Sequence, residues 1–418
     1  MRMRSQKMRH RPAASAAGPH RDWSPARRPR VDSAEYVVIG AGLVGASTAR
    51  SLAKRGRGVI VADQHEPAGP RGSSHGSARI LRMTYPETFY SDMALRARRL
   101  FDDLADETGH QLITATGTLD HGEVRQPERL AAVLTDLGVD HELLTAEAAM
   151  ERWPQFRFDG PVLFHRDAGV IDAGTAVTAS LESALTHGAQ LRTQWQVDNG
   201  SRARGGPPPG ANLTLTSATG EQLGARHVIV AAGGWLPGLC SRLPVCDRAQ
   251  SALNRVIVRQ EQVYHFPIAA GMPADWPTFI HKDAAMQAYG LPGGRDSAYT
   301  DTSGTARLGI KLAEFNGGQV IGDAEEQTGR LDEAGQARMI DFVSDRIPGL
   351  VAEPYAEATC LFTSTPDQDF IIDTAEDITI VSACSGHGAK LAPATGEAVA
   401  AALTEGTALP ERFAFVRG

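Results

Sequence analysis

Cysteine is scarce: four residues, Cys240, Cys246, Cys360 and Cys384, serve a chain of 418. They are too few to staple a chain this long, and none sits in CxxC or Cys/His zinc spacing. A disulfide scaffold and a zinc site are excluded, no metal is expected, and a reducing, cytoplasmic compartment fits. Long apolar runs are missing as well. No segment approaches the roughly 20 consecutive apolar residues that a membrane span needs, so no membrane partner is expected. No internal repeat is evident, and 42% hydrophobic with 22% charged residues rules out collagen, coiled coil and wholesale disorder. Basic charge is missing from the body of the chain. The net charge is −7, yet residues 1–34 hold nine Lys/Arg against Asp22 and Asp32, which leaves −14 for the remainder. An acidic body argues against nucleic acid as a partner, and the basic Pro/Ala/Ser tail of 1–34 reads as disordered or as an over-long start. Arg27–Arg28 within it raises a twin-arginine signal, but the apolar run that follows is better explained as structure.

What is present begins with length. A single core rarely serves more than about 250–300 residues, so two domains are expected. Tyr36–Gly40 is a short apolar run, a helical stretch follows through Ala53, and Val59–Ala62 is a second strand ending at Asp63. Between strand and helix lies Gly40-x-Gly42-x-x-Gly45. Gly40 allows the tight turn, Gly42 lets backbone approach a pyrophosphate at the helix N-terminus, and Gly45 permits close helix packing. Asp63 falls 21 residues past Gly42, where it can accept from a ribose hydroxyl. Together these point to a dinucleotide site. A rival pattern, Gly72-Ser-Ser74-His-Gly76, matches the GxSxG nucleophile elbow, but a polar Pro/Gly stretch precedes it where an elbow needs a buried strand.

Farther on, Gly205-Gly-Pro-Pro-Pro-Gly210 reads as a loop tip and Arg226–Gly233 as a buried strand. Residues 256–362 are strand-rich with a helix near 332–345. Residues 367–383 return to buried strands, and Pro393–Leu403 reads as an Ala-rich closing helix preceded by the Ser385–Lys390 loop. The expected fold class is α/β. A Rossmann-like nucleotide domain is assembled from 35–115, 172–245 and 361–418, and a sheet-rich (α+β) substrate domain from 116–171 and 246–360.

The Gly40 fingerprint, GSSHGSARILR (72–82), RWP (152–154), VIVAAGGW (228–235), LGIKL (308–312), FNGGQVI (315–321), ATCLFTSTPDQDFIID (358–373) and SGHGAK (385–390) occur in one order. In that order the chain, from about residue 35 to its end, resembles the monomeric sarcosine oxidase and N-methyl-tryptophan oxidase family. The resemblance implies an FAD-dependent oxidase that converts an amino acid to its imine and passes the electrons to O2.

It also implies roles for residues. Cys360 aligns with the cysteine bonded through sulfur to the flavin 8α-methyl, a reasonable task for a thiolate and an activated methyl; a buried structural cysteine is the other reading. Arg82 and Lys390 match the pair that holds the substrate carboxylate. Arg79, Ser73 and His75 fall to the cofactor face. Lys311 matches the lysine that activates oxygen, and a cation in an apolar strand must serve a charge unless it points outward from an edge strand. Gly386 and Gly388 allow close approach to the flavin ring, and His387 either contacts that ring or shapes the turn.

Departures narrow the substrate. Phe315 stands where the family's sarcosine and N-methyl-tryptophan enzymes have a histidine, and Phe362 where sarcosine oxidase has a tyrosine. Ser74, Ser77 and Ala78 replace more typical residues of the flavin loop. The expected substrate is an amino acid, N-alkyl, cyclic or primary, with an apolar side chain, and the expected product beside the imine is hydrogen peroxide. The enzyme is expected as a monomer or weak homo-oligomer. A related FAD-dependent dehydrogenase, a noncovalent amino acid oxidase, a serine hydrolase using Ser74 and a noncatalytic flavin-binding subunit are the alternatives.

Overall fold

The computed structural model describes residues 33–202, 210–301, 304–383 and 385–417. The basic tail up to residue 32, most of the Pro/Gly tip (203–209) and Cys384 lie outside the described residues.

The opening unit forms as its pattern dictates. Strand Ser33–Ile39 runs into Gly40, helix Leu43–Lys54 stops at Arg55–Gly56 where Gly56 takes φ +72°, and strand Val59–Ala62 follows. Ser33–Ile39 pairs in parallel with Val59–Ala62 on one side and with Gln222–Val230 on the other. The latter strand divides its partners: its first half is antiparallel to Leu213–Ser217, and Val228–Val230 run parallel to Ile378–Ile380. An eight-stranded sheet results. The parallel strands end together, which brings Gly40, Asp63 and Ala231 to one edge, the crevice where open α/β sheets bind ligands.

One face of this sheet is covered by helices Leu43–Lys54, Thr88–Thr108, Ala173–Thr186 and Gly388–Glu405 through a shared apolar core. The contact between the first and last of these is backbone-close. A Cβ on Gly396 would lie 2.5 Å from the Ser47 carbonyl carbon and 2.6 Å from Thr48 N. The closing helix starts at Gly388, five residues before the expected Pro393, with Pro393 inside it. A proline suggests a first helical turn, but here Gly388 packs so tightly on Ala383 O that the turn closes earlier. Lys390 therefore lies on the helix and not on a loop before it.

The second sheet has nine strands. Strand Ile257–Phe266 pairs from Ile257 to His265 with Ala356–Ser364 along one edge, and its other edge is shared by Gln319–Ile321 at Val258–Gln260 and Ile310–Glu314 at Tyr264–Phe266. The boundary expected at 360/361 thus falls inside a strand, which stays in the second sheet to Ser364 because its ladder to Ile257 is continuous. Ile310–Glu314 is an interior strand, flanked on its other side by Gln287–Pro292. A small sheet of Arg79–Leu81, Gly169–Ile171 and Ile113–Ala115 joins segments assigned to both domains.

The closeness at Gly396 can be tested. Overpacking typically costs about 1–3 kcal/mol, so Gly396→Val is expected to lower stability by that amount in urea unfolding, with the m-value unchanged. An unchanged midpoint would mean that the two helices separate freely.

Candidate active site

A cavity of about 1180 Å³ runs from the Gly40 loop to the second sheet. Its first end is built by backbone. Gly40 takes φ +103°, and a Cβ there would meet Ala231 O at 2.4 Å. A Cβ on Gly45 would lie 1.9 Å from Gly40 O, so only glycine fits either place. Gly42 is the N-cap of helix Leu43–Lys54 without a side-chain cap, which leaves the positive helix end facing the cavity. Asp63 Oδ2 accepts from Ala41 N at 2.6 Å and Oδ1 from His65 N at 2.8 Å. Each carboxylate oxygen keeps a further lone pair for a hydroxyl donor. A helix end whose N-cap glycine brings no side chain, a loop without room for side chains and an acid beside it fit the diphosphate and ribose of a dinucleotide.

The loop 67–78 closes over this end. Ser74 Oγ accepts from Leu43 N at 3.0 Å, so its hydroxyl serves the helix start, and no histidine nitrogen is among its hydrogen-bond partners. His75 instead lies with Nδ1 2.6 Å from Gly72 O, and burial with the nearby Arg79 charge holds its pKa below the usual value. A serine nucleophile thus has no base here. Ser73 Oγ donates to Leu361 O at 2.6 Å, which pins the loop to the strand carrying Cys360. Arg79 donates to Ala78 O and Ser73 O, at 2.8 and 2.9 Å.

Cys360, Lys311 and Arg79 line one wall together. Lys311 projects from an interior strand, so the outward edge-strand alternative does not apply. Burial and the Arg79 charge push its pKa down to about 8. Cys360 is a free thiol; burial raises its pKa while Arg79 and Lys311 oppose that. Directly across the ladder from Cys360 stands Glu261, only 4% exposed. Its Oε2 accepts from Gly318 N at 2.9 Å, while Oε1 is buried without a partner. Burial pushes its pKa up to about 7. Glu261 gave no sign in the sequence, because only the register reveals its neighbour.

The far end is strongly cationic. Arg82 stacks over Tyr85, 4.6 Å from the ring centroid, and donates through Nη1 to Thr84 O. Arg125 donates to the same carbonyl at 2.8 Å and through Nε to Asp120 Oδ1 at 2.5 Å. Lys390, 4% exposed, sits in the first turn of the closing helix, and burial followed by Arg82 and Arg125 depresses its pKa strongly. Lys282, at the end of strand Thr278–Lys282, sits 4.6 Å over the Phe315 ring; burial, Arg125 and Arg82 push its pKa down to about 8. Arg125 and Lys282 were missed in the sequence. Lys282 had the same signal as Lys311, a lysine closing an apolar strand, but Arg125 had none.

Phe315 and Phe362 meet edge to face at 5.8 Å, and Gly386, at φ +75°, leaves room for both: a Cβ would lie 2.7 Å from Phe315 and 2.9 Å from Phe362. His387 packs against Tyr90 and Phe370, with Nδ1 3.3 Å from Tyr85 Oη and Nε2 3.0 Å from Gln368 O. Both ring nitrogens are engaged within the protein and burial lowers its pKa to about 3, so the neutral ring shapes the turn.

Among the described residues no cluster of three or more His, Cys, Asp or Glu is arranged to hold a metal, and no helix is long and apolar enough to cross a membrane.

Comparison with known proteins agrees with this geometry. The family model described as FAD dependent oxidoreductase matches residues 35–402. Peroxisomal sarcosine oxidase of Mus musculus is 31% identical over 377 residues, covering 88% of this chain and 91% of that protein. N-methyl-L-tryptophan oxidase of Yersinia pestis (strain Pestoides F) is 30% identical over 380 residues, covering 88% and 94%. The solved structure of NikD, described as an unusual amino acid oxidase essential for nikkomycin biosynthesis, superimposes with a TM-score of 0.76 over 92% of this chain and 98% of that one. At 22% identity that last likeness speaks to the fold.

Glu261 carries a prediction of sign. Its folded pKa of about 7 lies above the ordinary 4.5, so the folded state keeps a proton that the unfolded chain has released. Its favourable contribution is therefore complete below about pH 4.5 and is lost as pH rises through 7. Glu261→Gln should flatten the stability profile across that window and, above pH 7, be more stable by on the order of 3 kcal/mol. Parallel pH profiles for the two proteins would show that Glu261 ionises freely.

Proposed function

The chain belongs to the FAD dependent oxidoreductase family and is an amine oxidase of the sarcosine oxidase type, and from that premise we propose that it converts an amino acid to its imine while O2 becomes hydrogen peroxide. The observation that carries the reading is one cavity joining the glycine cradle to a wall with Cys360, Lys311, Arg82 and Lys390. The substrate is an N-alkyl, cyclic or primary amino acid with an apolar portion, since Phe315 and Phe362 offer rings where polar groups would have narrowed the choice.

FAD, when bound, supplies the two-electron acceptor for the carbon that bears nitrogen and the donor for oxygen. The protein's part is positioning and charge. Gly40, Gly42, Gly45 and Asp63 would hold the dinucleotide end. Ser73, Arg79 and Gly386 would shape the ring end, Gly388 would fix the adjoining turn, and Cys360 would hold the flavin through its sulfur. Arg82 offers its unused guanidinium N–H groups and Lys390 its ammonium to the substrate carboxylate. No side chain is placed as an evident general base, and loss of hydride from a neutral amine needs none. Lys311 keeps a cation in a partly desolvated wall, where it stabilises the anion formed as oxygen takes its first electron. A two-domain division into nucleotide and substrate parts, a monomeric or weakly associated state and a cytoplasmic setting complete the reading. The separate sheets and the free Cys240, Cys246 and Cys360 support the first and last of these.

Two outcomes test it. Acid-precipitated protein should stay yellow, and Cys360→Ser should release its flavin into the supernatant; a colourless wild-type pellet would rule out the thioether. Stopped-flow on Lys311→Met should show near-normal bleaching by substrate under nitrogen, with recolouring in oxygenated buffer slowed roughly 10²–10³-fold. Equal slowing of both phases would make Lys311 a general support of the site.

A further inference from the structure

The far end of the cavity holds more positive charge than one carboxylate can answer. Arg82, Arg125, Lys282 and Lys390 all line it. Among the described residues Asp120 is the one carboxylate bonded to any of them; its Oδ1 is taken by Arg125 Nε and its buried Oδ2 has no hydrogen-bond partner. Among the described residues, no oxygen accepts from Lys282 Nζ or Lys390 Nζ; the contact recorded for Lys282 is the face of Phe315. Arg82 Nη1 and Arg125 Nη2 both spend donors on Thr84 and Arg125 Nε on Asp120, while among the described residues Arg82 Nη2 and Arg125 Nη1 have no acceptor. The outlying carboxylates at the cavity mouth are spoken for: Glu87 and Asp369 both pair with Arg412.

Cations held partly out of water without partners are unfavourable, and a protein keeps them where a bound anion completes the set. An α-carboxylate held by Arg82 and Lys390 leaves Lys282 and the outer donors of Arg125 unanswered. We propose that the substrate carries a second anionic group, a carboxylate at the end of its side chain or N-substituent, which Lys282 and Arg125 receive. This rests on the amino acid oxidase reading above and refines it. The apolar portion lies against Phe315 and Phe362, and Lys282, seated over Phe315, marks where that portion ends and the second charge begins. Thr84 acts as a positioning residue, because its carbonyl fixes the angle between the two guanidinium groups and so the separation of the two anions.

The experiment uses the FAD-loaded protein and two probes of equal chain length, glutarate and pentanoate, with dissociation constants measured by calorimetry. A charged hydrogen bond in such a site typically contributes about 1.5–3 kcal/mol, so glutarate should bind roughly 10–100-fold more tightly than pentanoate. Lys282→Met should collapse that ratio towards one, and Lys282→Arg, which keeps the charge, should retain most of it. Equal affinities in the wild type, or a ratio that survives in Lys282→Met, would overturn the proposal. Anaerobic bleaching by N-methyl-L-glutamate and by its uncharged isostere N-methyl-L-glutamine separates this failure from that of the parent reading. Bleaching by both at equal half-saturation overturns the second anion alone, while bleaching by neither removes N-alkyl amino acids from the parent reading and overturns the proposal with them. Bleaching at a much lower concentration of the glutamate supports both.

Discussion

Positive charge kept away from water needs a negative partner, and that constraint organises the cavity from end to end. At the first end the charge is partial, the first-turn N–H groups of helix Leu43–Lys54, where Gly42 brings no side-chain cap and Ser74 Oγ takes Leu43 N. At the other it is formal, four side chains with one paired carboxylate. A ligand that answers both must be anionic at the glycine loop and meet an anionic substrate beyond, which is what a dinucleotide with an amino acid beside it offers. The two sheets then have a common reason to lie against each other. Neither alone supplies both ends, and Ser73 on the first loop is bonded to Leu361 on the second sheet to keep them in register.

The parts of the site that were legible in the sequence are those where geometry restricts identity. Gly40 and Gly45 could be read because a Cβ there meets backbone oxygen at 2.4 and 1.9 Å, which leaves glycine alone. Asp63 could be read because a fixed βαβ span sets its distance along the chain. Lys311 could be read because a lysine among Ile310, Leu312 and Ala313 has to serve something. In each case a local steric or solvation demand narrows the choice of residue to one or two.

What stayed hidden came from pairings between distant segments. Asp120 and Ile280 are register partners in parallel strands, and this pairing, continued by the hydrogen bonds of Val124 N and Arg125 N to Lys282 O, sets Arg125 and Lys282 at the same end of the cavity. Glu261 is opposite Cys360 for the same reason, and the ladder that places it there carries strand Ala356–Ser364 past the expected domain boundary. Nothing within ten residues of Lys282 or Glu261 encodes the strand that it meets. The closing helix misled differently: Pro393 has a local preference for a first turn, yet the absence of a Cβ at Gly388 let packing against Ala383 start the helix earlier, and this put Lys390 in a buried first turn.

The cations of the cavity fall into two groups, and the grouping bears on chemistry. Lys311 feels chiefly Arg79, Cys360 and Asp296, whereas Lys390 and Lys282 feel Arg82 and Arg125. Neither group is prominent in the other's field. An oxidase has two charge problems, holding a carboxylate while an amine is oxidised and stabilising an anion while oxygen is reduced. Were one set of cations to serve both, a tightly bound carboxylate would neutralise the charge that oxygen needs. Separate sets let each anion be answered without weakening the response to the other. That separation is a product of topology, since Lys311 lies on an interior strand facing Cys360 while Lys390 enters on a helix of the opposite sheet. The chain achieves it by returning to each sheet more than once, so that each sheet is assembled from stretches far apart in sequence.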